Sequence, residues 1–194
     1  MPIVSSTEII NHAKEGKVIS FPTDTVPALA TLPTYCDLIF AAKKRPPDKP
    51  LILMGSLGED LWPYVTGTEK EKKIWQQITQ QHWPGQLTLV LPASKKVPSV
   101  MNPLDPSTIG IRVPHHQLAL KLLSQTGPLA TTSANLSGEE PLFTPTDIVQ
   151  TFSDVFILDA PQEVYLGSGL PSTVAKWTQQ GWEILRQGGI KLEG

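Results

Sequence analysis

One turn in the sequence has a composition that suits the binding of a polar anion. Thr131-Thr132-Ser133-Ala134-Asn135-Leu136-Ser137-Gly138 carries four hydroxyls and an amide. These groups donate neutral hydrogen bonds without a competing charge, and successive backbone N–H groups in such a turn form an anion nest. The alternative is a hydrogen-bonded Ser/Thr turn without a ligand. Both interpretations place the segment directly after a short apolar strand.

Arginine is rare in this chain, which makes its positions informative. Of 16 basic residues only three are arginine, namely Arg45, Arg112 and Arg186. A guanidinium binds a carboxylate or phosphate through two parallel hydrogen bonds, which an ammonium cannot do. In Thr108-Ile109-Gly110-Ile111-Arg112 the alternation places the arginine on the strand face opposite the two isoleucines. Arg112 is therefore expected to face either solvent, as on an edge strand, or a polar cavity.

Three further segments combine polar side chains with turn residues beside a strand. Lys43-Lys44-Arg45-Pro46-Pro47-Asp48-Lys49-Pro50 holds four cations on a proline-stiffened loop, which suits a triphosphate, although cations at a helix C-terminus are also stabilised by the dipole alone. Pro22-Thr23-Asp24-Thr25 puts two threonines around a carboxylate, as a binding loop or as an Asx or Thr turn. Gly167-Ser168-Gly169 leads through Ser172 into a strand, as loops for phosphate or carboxylate do.

Several familiar catalytic motifs are missing from the sequence. It has no P-loop, no glycine-rich dinucleotide fingerprint and no nucleophile elbow. The single cysteine, Cys36, lies in a predicted helix without an obvious histidine partner, so covalent catalysis is not expected. The four histidines lack metal-ligand spacing, so no metal-binding residues are predicted. Any metal would be Mg²⁺, brought in by phosphates and held partly by water.

Helices and short apolar strands alternate along the chain. Ser5 with Glu8 and Thr68 with Glu71 have capping-box spacing and predict two helix starts. Residues 18–21, 51–54, 87–91, 108–113 and 129–132 are typical of buried strands. This pattern predicts an α/β or α+β layer architecture in which helices cover a mixed sheet. The polar segments at strand ends are where such folds place their sites.

The composition excludes several classes of protein. With 194 residues, 40% hydrophobic and 18% charged, we expect one domain over residues 1–194. A net charge of -2 excludes a bulk polyanion binder but not a local basic site. One cysteine excludes an intrachain disulfide and fits a reducing compartment. The sequence lacks a leader pattern and a ~20-residue apolar stretch, so a cytoplasmic protein without membrane contact is expected.

Seven motifs follow one another in a fixed order within residues 21–189. In this order they resemble the pattern of the threonylcarbamoyl-AMP synthase family, the YrdC-like domain. Each motif alone is weak, whereas seven in register are specific. The motifs are Pro22-Thr23-Asp24-Thr25, Lys43-Lys44-Arg45 with Lys49-Pro50, Trp83-Pro84-Gly85-Gln86-Leu87-Thr88-Leu89-Val90, Thr108-Ile109-Gly110-Ile111-Arg112-Val113-Pro114, Thr132-Ser133-Ala134-Asn135-Leu136-Ser137-Gly138, Ser172-Thr173-Val174 and Ile184-Leu185-Arg186-Gln187-Gly188.

The resemblance implies a single YrdC-like domain of the α/β class, a twisted mixed sheet with helices around a large, concave, basic cavity. It also implies a reaction in which L-threonine, bicarbonate and ATP, with Mg²⁺, give L-threonylcarbamoyl-AMP and pyrophosphate. That is the first stage of making threonylcarbamoyladenosine in tRNA, so a tRNA threonylcarbamoyl transferase is an expected partner. Longer family members append a C-terminal domain, for which we expect no room in 194 residues.

The resemblance further implies roles for individual residues. Lys43 and Arg45 are expected to be catalytic and to face the ATP phosphates, while Arg112 is expected to grip the threonine carboxylate. The expected ATP-binding residues are Lys43, Arg45, Lys49, Thr108, Ser133, Asn135 and Arg186, and the expected threonine-binding residues are Thr23, Thr25, Arg112, Thr132 and Ser172.

The chain departs from the family pattern at one place and leaves other functions open. Where the family has V-Y-G-L after the first motif, this chain has Val26-Pro27-Ala28-Leu29, which removes an aromatic surface and a permissive glycine. The alternatives are a non-catalytic module that contacts double-stranded RNA in ribosome or tRNA maturation, a carbamoyl-adenylate-forming domain of hydrogenase maturation, and a paralogue with another role. The net charge of -2 disfavours RNA as the main ligand.

Overall fold

A ten-stranded mixed sheet forms the centre of the molecule, and the predicted α/β class is confirmed. The computed structural model describes residues 2–44 and 49–192. Its strands are β1 (Ile3–Val4), β2 (Ile19–Phe21), β3 (Ala28–Thr31), β4 (Ile52–Met54), β5 (Leu87–Pro92), β6 (Thr108–Arg112), β7 (Leu129–Ser133), β8 (Phe156–Leu158), β9 (Thr173–Thr178) and β10 (Gly181–Arg186).

The strands lie in the order β1-β8-β2-β3-β7-β4-β6-β5-β9-β10. The pairs β1–β8, β2–β8, β4–β6 and β5–β9 are parallel, and the other five pairs are antiparallel. The helices are α1 (Ser6–Lys14), α2 (Asp37–Ala42), α3 (Gly58–Leu61), α4 (Glu69–His82), α5 (Gln117–Thr126), α6 (Pro145–Thr151) and α7 (Gln162–Tyr165). Within residues 2–44 and 49–192, no helix combines the length and the apolar character needed to cross a membrane.

Helices cover most of one face of the sheet. The apolar side chains Leu89, Ile109 and Ile111, from β5 and β6, pack in one cluster with Trp75 of α4 and Ile148 of α6, and all five are buried. Residues of α2, α3 and α7 belong to the same cluster. This face is the main core, and the aliphatic side of the β6 alternation supplies part of it.

Helices cover only part of the opposite face. Ile9 of α1 and Leu123 of α5 pack on Ile19 and Leu129 in a second cluster. On β7, Thr131 lies two residues beyond Leu129 and so shares its face, yet Thr131 lines a cavity. The helical cover therefore ends near the middle of the sheet, and the polar half of this face stays open.

Both predicted capping boxes are confirmed, whereas the inner strand β3 was not predicted. The Ser5 and Thr68 side chains accept from the backbone N–H groups of Glu8 and Glu71, whose carboxylates accept in return. Strand β3 was missed because Ala-Leu-Ala-Thr is fully buried, shows no alternation and has only one β-branched residue, Thr31. Its position between β2 and β7 places the segment that departs from the family pattern at the centre of the sheet.

Cys36 lies in the core and is expected to be unreactive in the native protein. Its side chain is fully buried, and burial, assisted by the charge of Asp37, raises the pKa of the thiol to about 11. The thiolate is the reactive form, so iodoacetamide at pH 8 should modify Cys36 slowly before denaturation and rapidly after it. Equal rates in the two states, measured by mass spectrometry, would contradict this placement.

Candidate active site

The open half of the sheet forms a cavity of about 520 Å³. Alternate residues of the central strands line it, because side chains two apart share a face, and consecutive residues line it where β7 and β10 end. The lining residues include Ile52 and Met54 of β4, Thr88 and Val90 of β5, Thr108, Gly110 and Arg112 of β6, Thr131, Thr132 and Ser133 of β7, Val174 and Lys176 of β9, Leu185 and Arg186 of β10, and Thr25, Val26, Pro27, Lys49, Asn102, Asp105 and Ser172 from loops.

Arg112 is a buried cation at one end of this cavity. Its Nη2 lies 2.6 Å from Asp24 Oδ1, its Nη1 donates to Thr25 Oγ1 at 2.9 Å, and its Nε donates to the Gly85 carbonyl at 3.1 Å. Strand β6 lies between β4 and β5, so the edge-strand alternative with Arg112 in solvent is excluded. Burial lowers the pKa of Arg112, and the Asp24 carboxylate opposes that shift.

Arg186 supplies a second guanidinium at the same end. Its Nε donates to the Ser172 carbonyl at 3.0 Å and its Nη2 to Ser172 Oγ at 3.3 Å. Ser172 Oγ also shares a hydrogen bond of 2.8 Å with Thr88 Oγ1. Burial lowers the pKa of Arg186, and the Arg186 charge in turn lowers the pKa of Arg112. Two mutually repelling cations in one cavity favour an anionic ligand.

Lys43 lies beneath the hydroxyl-rich turn and is fully buried. Its Nζ donates to the carbonyls of Ser133 and Asn135, both at 2.5 Å, and to Asn135 Oδ1 at 3.0 Å. Asn135 also donates to the Leu136 and Glu139 carbonyls at 2.7 Å each. These contacts fix the turn after β7, so Lys43 is placed here as a scaffold for that turn.

The other end of the cavity is polar and carries a looser ion pair. Lys176 Nζ lies 3.8 Å from Asp105 Oδ2. Thr108 Oγ1 accepts from Asn102 Nδ2 at 3.0 Å and donates to Asp105 Oδ2 at 3.2 Å. The pKa of Asp105 is lowered, most strongly by a hydrogen bond from the Ser107 side chain. A hydrogen bond from Thr108 and the charge of Lys176 lower it further. Arg112 lies four residue steps beyond Thr108 on β6, which is about 13 Å of strand.

Known proteins of one family match most of this chain. A family model described as "Telomere recombination", for Sua5, YciO and YrdC, matches residues 11–188. This chain belongs to the Sua5/YciO/YrdC family. Threonylcarbamoyl-AMP synthase of Pyrococcus abyssi is 36% identical to this family member in an alignment 190 residues long, which covers 93% of this chain and 53% of the relative. The synthase of Vibrio parahaemolyticus is 35% identical over 93% of this chain and 97% of its own.

Solved structures of the family have the same fold. This Sua5/YciO/YrdC chain superposes on P. abyssi Sua5 complexed with L-threonine with a TM-score of 0.82 at 31% identity, over 96% of this chain and 55% of that one. It superposes on E. coli YciO with a TM-score of 0.79 at 26% identity, over 95% and 89% of the two chains. The chain spans about half the length of the P. abyssi relative that it matches.

The fold brings most of the predicted site residues of this family member together. Eight of them line the cavity, whereas Thr23, Lys43 and Asn135 lie behind its wall as supports. Arg45 lies outside the described residues, so its predicted contact with phosphates stays a prediction. The predicted residues that line the cavity are Thr25, Lys49, Thr108, Arg112, Thr132, Ser133, Ser172 and Arg186.

Sequence reasoning assigned no role to several polar residues of the lining, among them Thr88, Asn102, Asp105 and Lys176. Lys176 is two residues beyond Val174 on β9 and shares its cavity face, so the period of two would have found it. Thr88 lies within a quoted motif and shares the cavity face of β5. Asp105 follows no local pattern, because it lies in the loop before β6.

The segment that departs from the family pattern forms part of the cavity wall. Val26, Pro27 and Ala28 all line the cavity. The Val26 carbonyl accepts from Thr23 Oγ1 at 2.7 Å, and the Pro27 carbonyl accepts from the Ala134 N–H at 2.8 Å. The altered sequence is thus held in a regular connection from the Thr23 turn into β3.

Replacing Gly188 by alanine is expected to disturb the Arg186 end of the cavity. A Cβ on Gly188 would clash with the Pro171 carbonyl oxygen and the Thr173 backbone nitrogen. Backbone atoms cannot move aside as a flexible side chain does, so we expect a loss of about 1–3 kcal/mol in the free energy of unfolding. Denaturant unfolding of Gly188→Ala measures it. Gly58→Ala, where the nearest atom is 3.4 Å away, is the matched control; equal stability of both variants would contradict the prediction.

Proposed function

We propose that this chain makes L-threonylcarbamoyl-AMP and pyrophosphate from L-threonine, bicarbonate and ATP. The observation that carries the proposal is the superposition on a Sua5 protein complexed with L-threonine, over 96% of this chain. The Vibrio parahaemolyticus relative, of which this chain covers 97%, is named threonylcarbamoyl-AMP synthase, and this relative supports the proposal along nearly its whole length. The cavity supports the proposal, since two guanidiniums and several hydroxyls suit a carboxylate and phosphates.

The proposed reaction has two steps that need positioning rather than covalent catalysis. In the first, the ammonium of threonine loses a proton to solvent, and the neutral amine attacks the carbon of bicarbonate, from which water leaves. If bicarbonate has already lost water to give CO2, attack on CO2 releases a proton instead. In the second, an oxygen of the carbamate attacks the α-phosphorus of ATP, and pyrophosphate leaves. A carbamate is a poor nucleophile, so alignment with the α-phosphate and neutralisation of charge should dominate the rate enhancement.

The residues of the cavity divide between the two substrates in this proposal. Arg112, with Thr25 beside it, binds the threonine carboxylate, and Thr132 and Ser172 surround the rest of the amino acid. Arg186 and Lys49 bind ATP phosphates, and the Ser133 turn contacts the nucleotide. Lys43 and Asn135 act through that turn, since their polar atoms bond to it. The hydroxyls provide hydrogen bonds without adding negative charge.

The cavity does not fit a metal held by the protein alone. Among the described residues no group of three His, Cys, Asp or Glu side chains converges. The lining has one carboxylate, Asp105, and one side-chain amide, Asn102. A site that held Mg²⁺ with protein ligands alone would need more oxygen ligands than these two side chains supply. We therefore propose that Mg²⁺ enters bound to ATP phosphates, and no step is assigned to a resident metal.

The product of this reaction is an activated acyl-adenylate that requires an acceptor. A mixed anhydride of a carbamate and a phosphate hydrolyses readily, so we propose that a tRNA threonylcarbamoyl transferase takes it up in the cytoplasm. Direct contact with RNA would need a basic surface beyond the cavity, and the chain as a whole carries a net charge of -2.

Pyrophosphate release tests the proposed function. The protein is incubated with ATP, Mg²⁺ and bicarbonate, and each of the common amino acids is added in turn. Release that depends on both L-threonine and bicarbonate supports the proposal. Release that depends on another amino acid would identify that amino acid as the substrate. No release with any amino acid would overturn the proposed enzymatic activity. Salt-dependent binding of RNA without any turnover of ATP would favour the non-catalytic alternative.

A further inference from the structure

The two arginines at one end of the cavity differ in how their charges are compensated. Arg112 forms an ion pair of 2.6 Å with Asp24, and the two side chains are only 4% and 10% exposed. Arg186 bonds to neutral oxygens of Ser172, and within the described part of the chain no carboxylate lies within ion-pair distance of it. One guanidinium is therefore neutralised in place, and the other keeps its full charge.

Asp24 is held in its position by contacts that do not involve Arg112. Its carbonyl accepts from Gln86 Nε2 and from the Ser168 N–H, both at 3.0 Å. Gly167 packs so tightly on this loop that a Cβ there would clash with the Thr23 and Thr25 carbonyl oxygens. These contacts fix the main chain at Asp24 without any contribution from Arg112.

Only one of the two carboxylate oxygens of Asp24 has a hydrogen-bond partner among the described residues. Oδ1 pairs with Arg112, whereas Oδ2 is buried and has no hydrogen-bond partner in the described residues. A buried carboxylate without full pairing is costly, so a purely structural role would favour a neutral side chain or a second donor. The charge at this position therefore calls for a functional reason.

A neutralised guanidinium discriminates between ligands by their net charge. An α-amino acid at neutral pH carries a carboxylate and an ammonium, so beside Arg112 and Asp24 each of its charges has an opposite charge nearby. A 2-hydroxy acid or an inorganic anion carries the negative charge alone, and Asp24 repels it at short range. Specificity of this kind comes from the group that penalises the wrong ligand.

We propose that Asp24 is a specificity-determining residue, which neutralises Arg112 and so selects zwitterionic α-amino acids over 2-hydroxy acids and inorganic anions at this end of the cavity. The inference rests on the proposed function for its substrate class, an α-amino acid. It extends that function by assigning the selection to a residue that does not itself line the cavity. Arg186, which has no such counter-charge among residues 2–44 and 49–192, is left for a fully anionic group such as a phosphate.

Binding measurements on the intact protein test the role of Asp24. Isothermal titration calorimetry is performed with L-threonine, with glycine and serine, and with the hydroxy-acid analogue of threonine, in which a hydroxyl replaces the amine. The native protein should bind threonine more tightly than the analogue. In Asp24→Asn we expect threonine to bind at least about tenfold more weakly and the analogue to bind as well as before or better, so that the preference is lost.

Two further variants separate selection from folding. Asp24→Glu keeps the charge and should retain the preference for the amino acid even where both affinities fall. Asp159→Asn removes an exposed carboxylate elsewhere and should leave both affinities unchanged. If Asp24→Asn lowered the affinities for threonine and for the analogue by the same factor, Asp24 would be a structural support only. That result would overturn the proposal.

The outcomes also distinguish this inference from the proposed function. A native protein that prefers glycine or serine to threonine, and still rejects the hydroxy acid, would overturn the threonine assignment but support the role of Asp24. A native protein that releases pyrophosphate with threonine yet binds the hydroxy acid equally well would support the function and overturn the role of Asp24.

Discussion

Arg112→Ala should lower the free energy of unfolding by about 3–5 kcal/mol, because it leaves the buried carboxylate of Asp24 without its partner. The same variant should raise the KM for L-threonine by at least about thirtyfold and that for ATP by less than about threefold. The asymmetry follows from the proposed assignment, because Arg112 binds the carboxylate and, of the two arginines, only Arg186 binds phosphate. Steady-state kinetics of pyrophosphate release, with denaturant unfolding alongside, measure both effects.

A double variant separates the two consequences of losing Arg112. Arg112→Ala combined with Asp24→Asn removes both charges, so most of the stability should return while threonine binding remains weak. A fall in ATP affinity with an unchanged KM for threonine would reverse the assignment of the two substrates to the two arginines. Failure of the double variant to recover stability would show that the ion pair is not the cause of the loss.

Lys43→Met should weaken both the fold and the nucleotide site. The change keeps the length of the side chain but leaves the carbonyls of Ser133 and Asn135 and Asn135 Oδ1 without the Nζ donor. Each buried acceptor that loses its donor costs roughly 1–3 kcal/mol, so we expect a loss of about 3 kcal/mol or more in the free energy of unfolding. The turn after β7 should also loosen, which lowers the affinity for ATP.

The neighbouring lysine provides a matched control for this prediction. Lys44 is exposed, and Lys44→Met removes the same charge one residue along. Thermal unfolding and calorimetric titration with ATP and Mg²⁺ compare the two variants. Equal, small effects in both would contradict the scaffold role of Lys43. Loss of ATP affinity in Lys43→Met at native stability would instead indicate the direct phosphate contact that the family resemblance implies.

The sequence could predict which residues share a face but not where each strand lies. The alternation over residues 108–112 correctly separated Arg112 from Ile109 and Ile111. It could not decide between solvent and cavity, because that choice depends on the partners of β6, and strand order is set by contacts far apart in sequence. The pairing of β6 with β4 and β5 settles it.

Lys43 illustrates a second limit, which is that local sequence does not reveal contacts with distant residues. Its position at the start of a basic segment, where α2 ends, matches either a phosphate contact or a cation stabilised by the helix terminus. Its actual partners belong to a turn about 90 residues later, which no local pattern reveals. Asp24 is similar: the motif marks it as polar, but only the fold brings it to a guanidinium 88 residues away.

The division of one sheet face between helices and cavity bears on how this protein could acquire new substrates. Ala28 and Met54 belong both to the apolar cluster beneath α1 and α5 and to the cavity wall, so a change of size there alters the packing of the core. Val90, Val174 and Leu185 line the cavity without belonging to either cluster. Directed evolution toward a larger amino acid should therefore accumulate its substitutions on β5, β9 and β10, where a bulkier or smaller side chain changes the ligand space without weakening the fold.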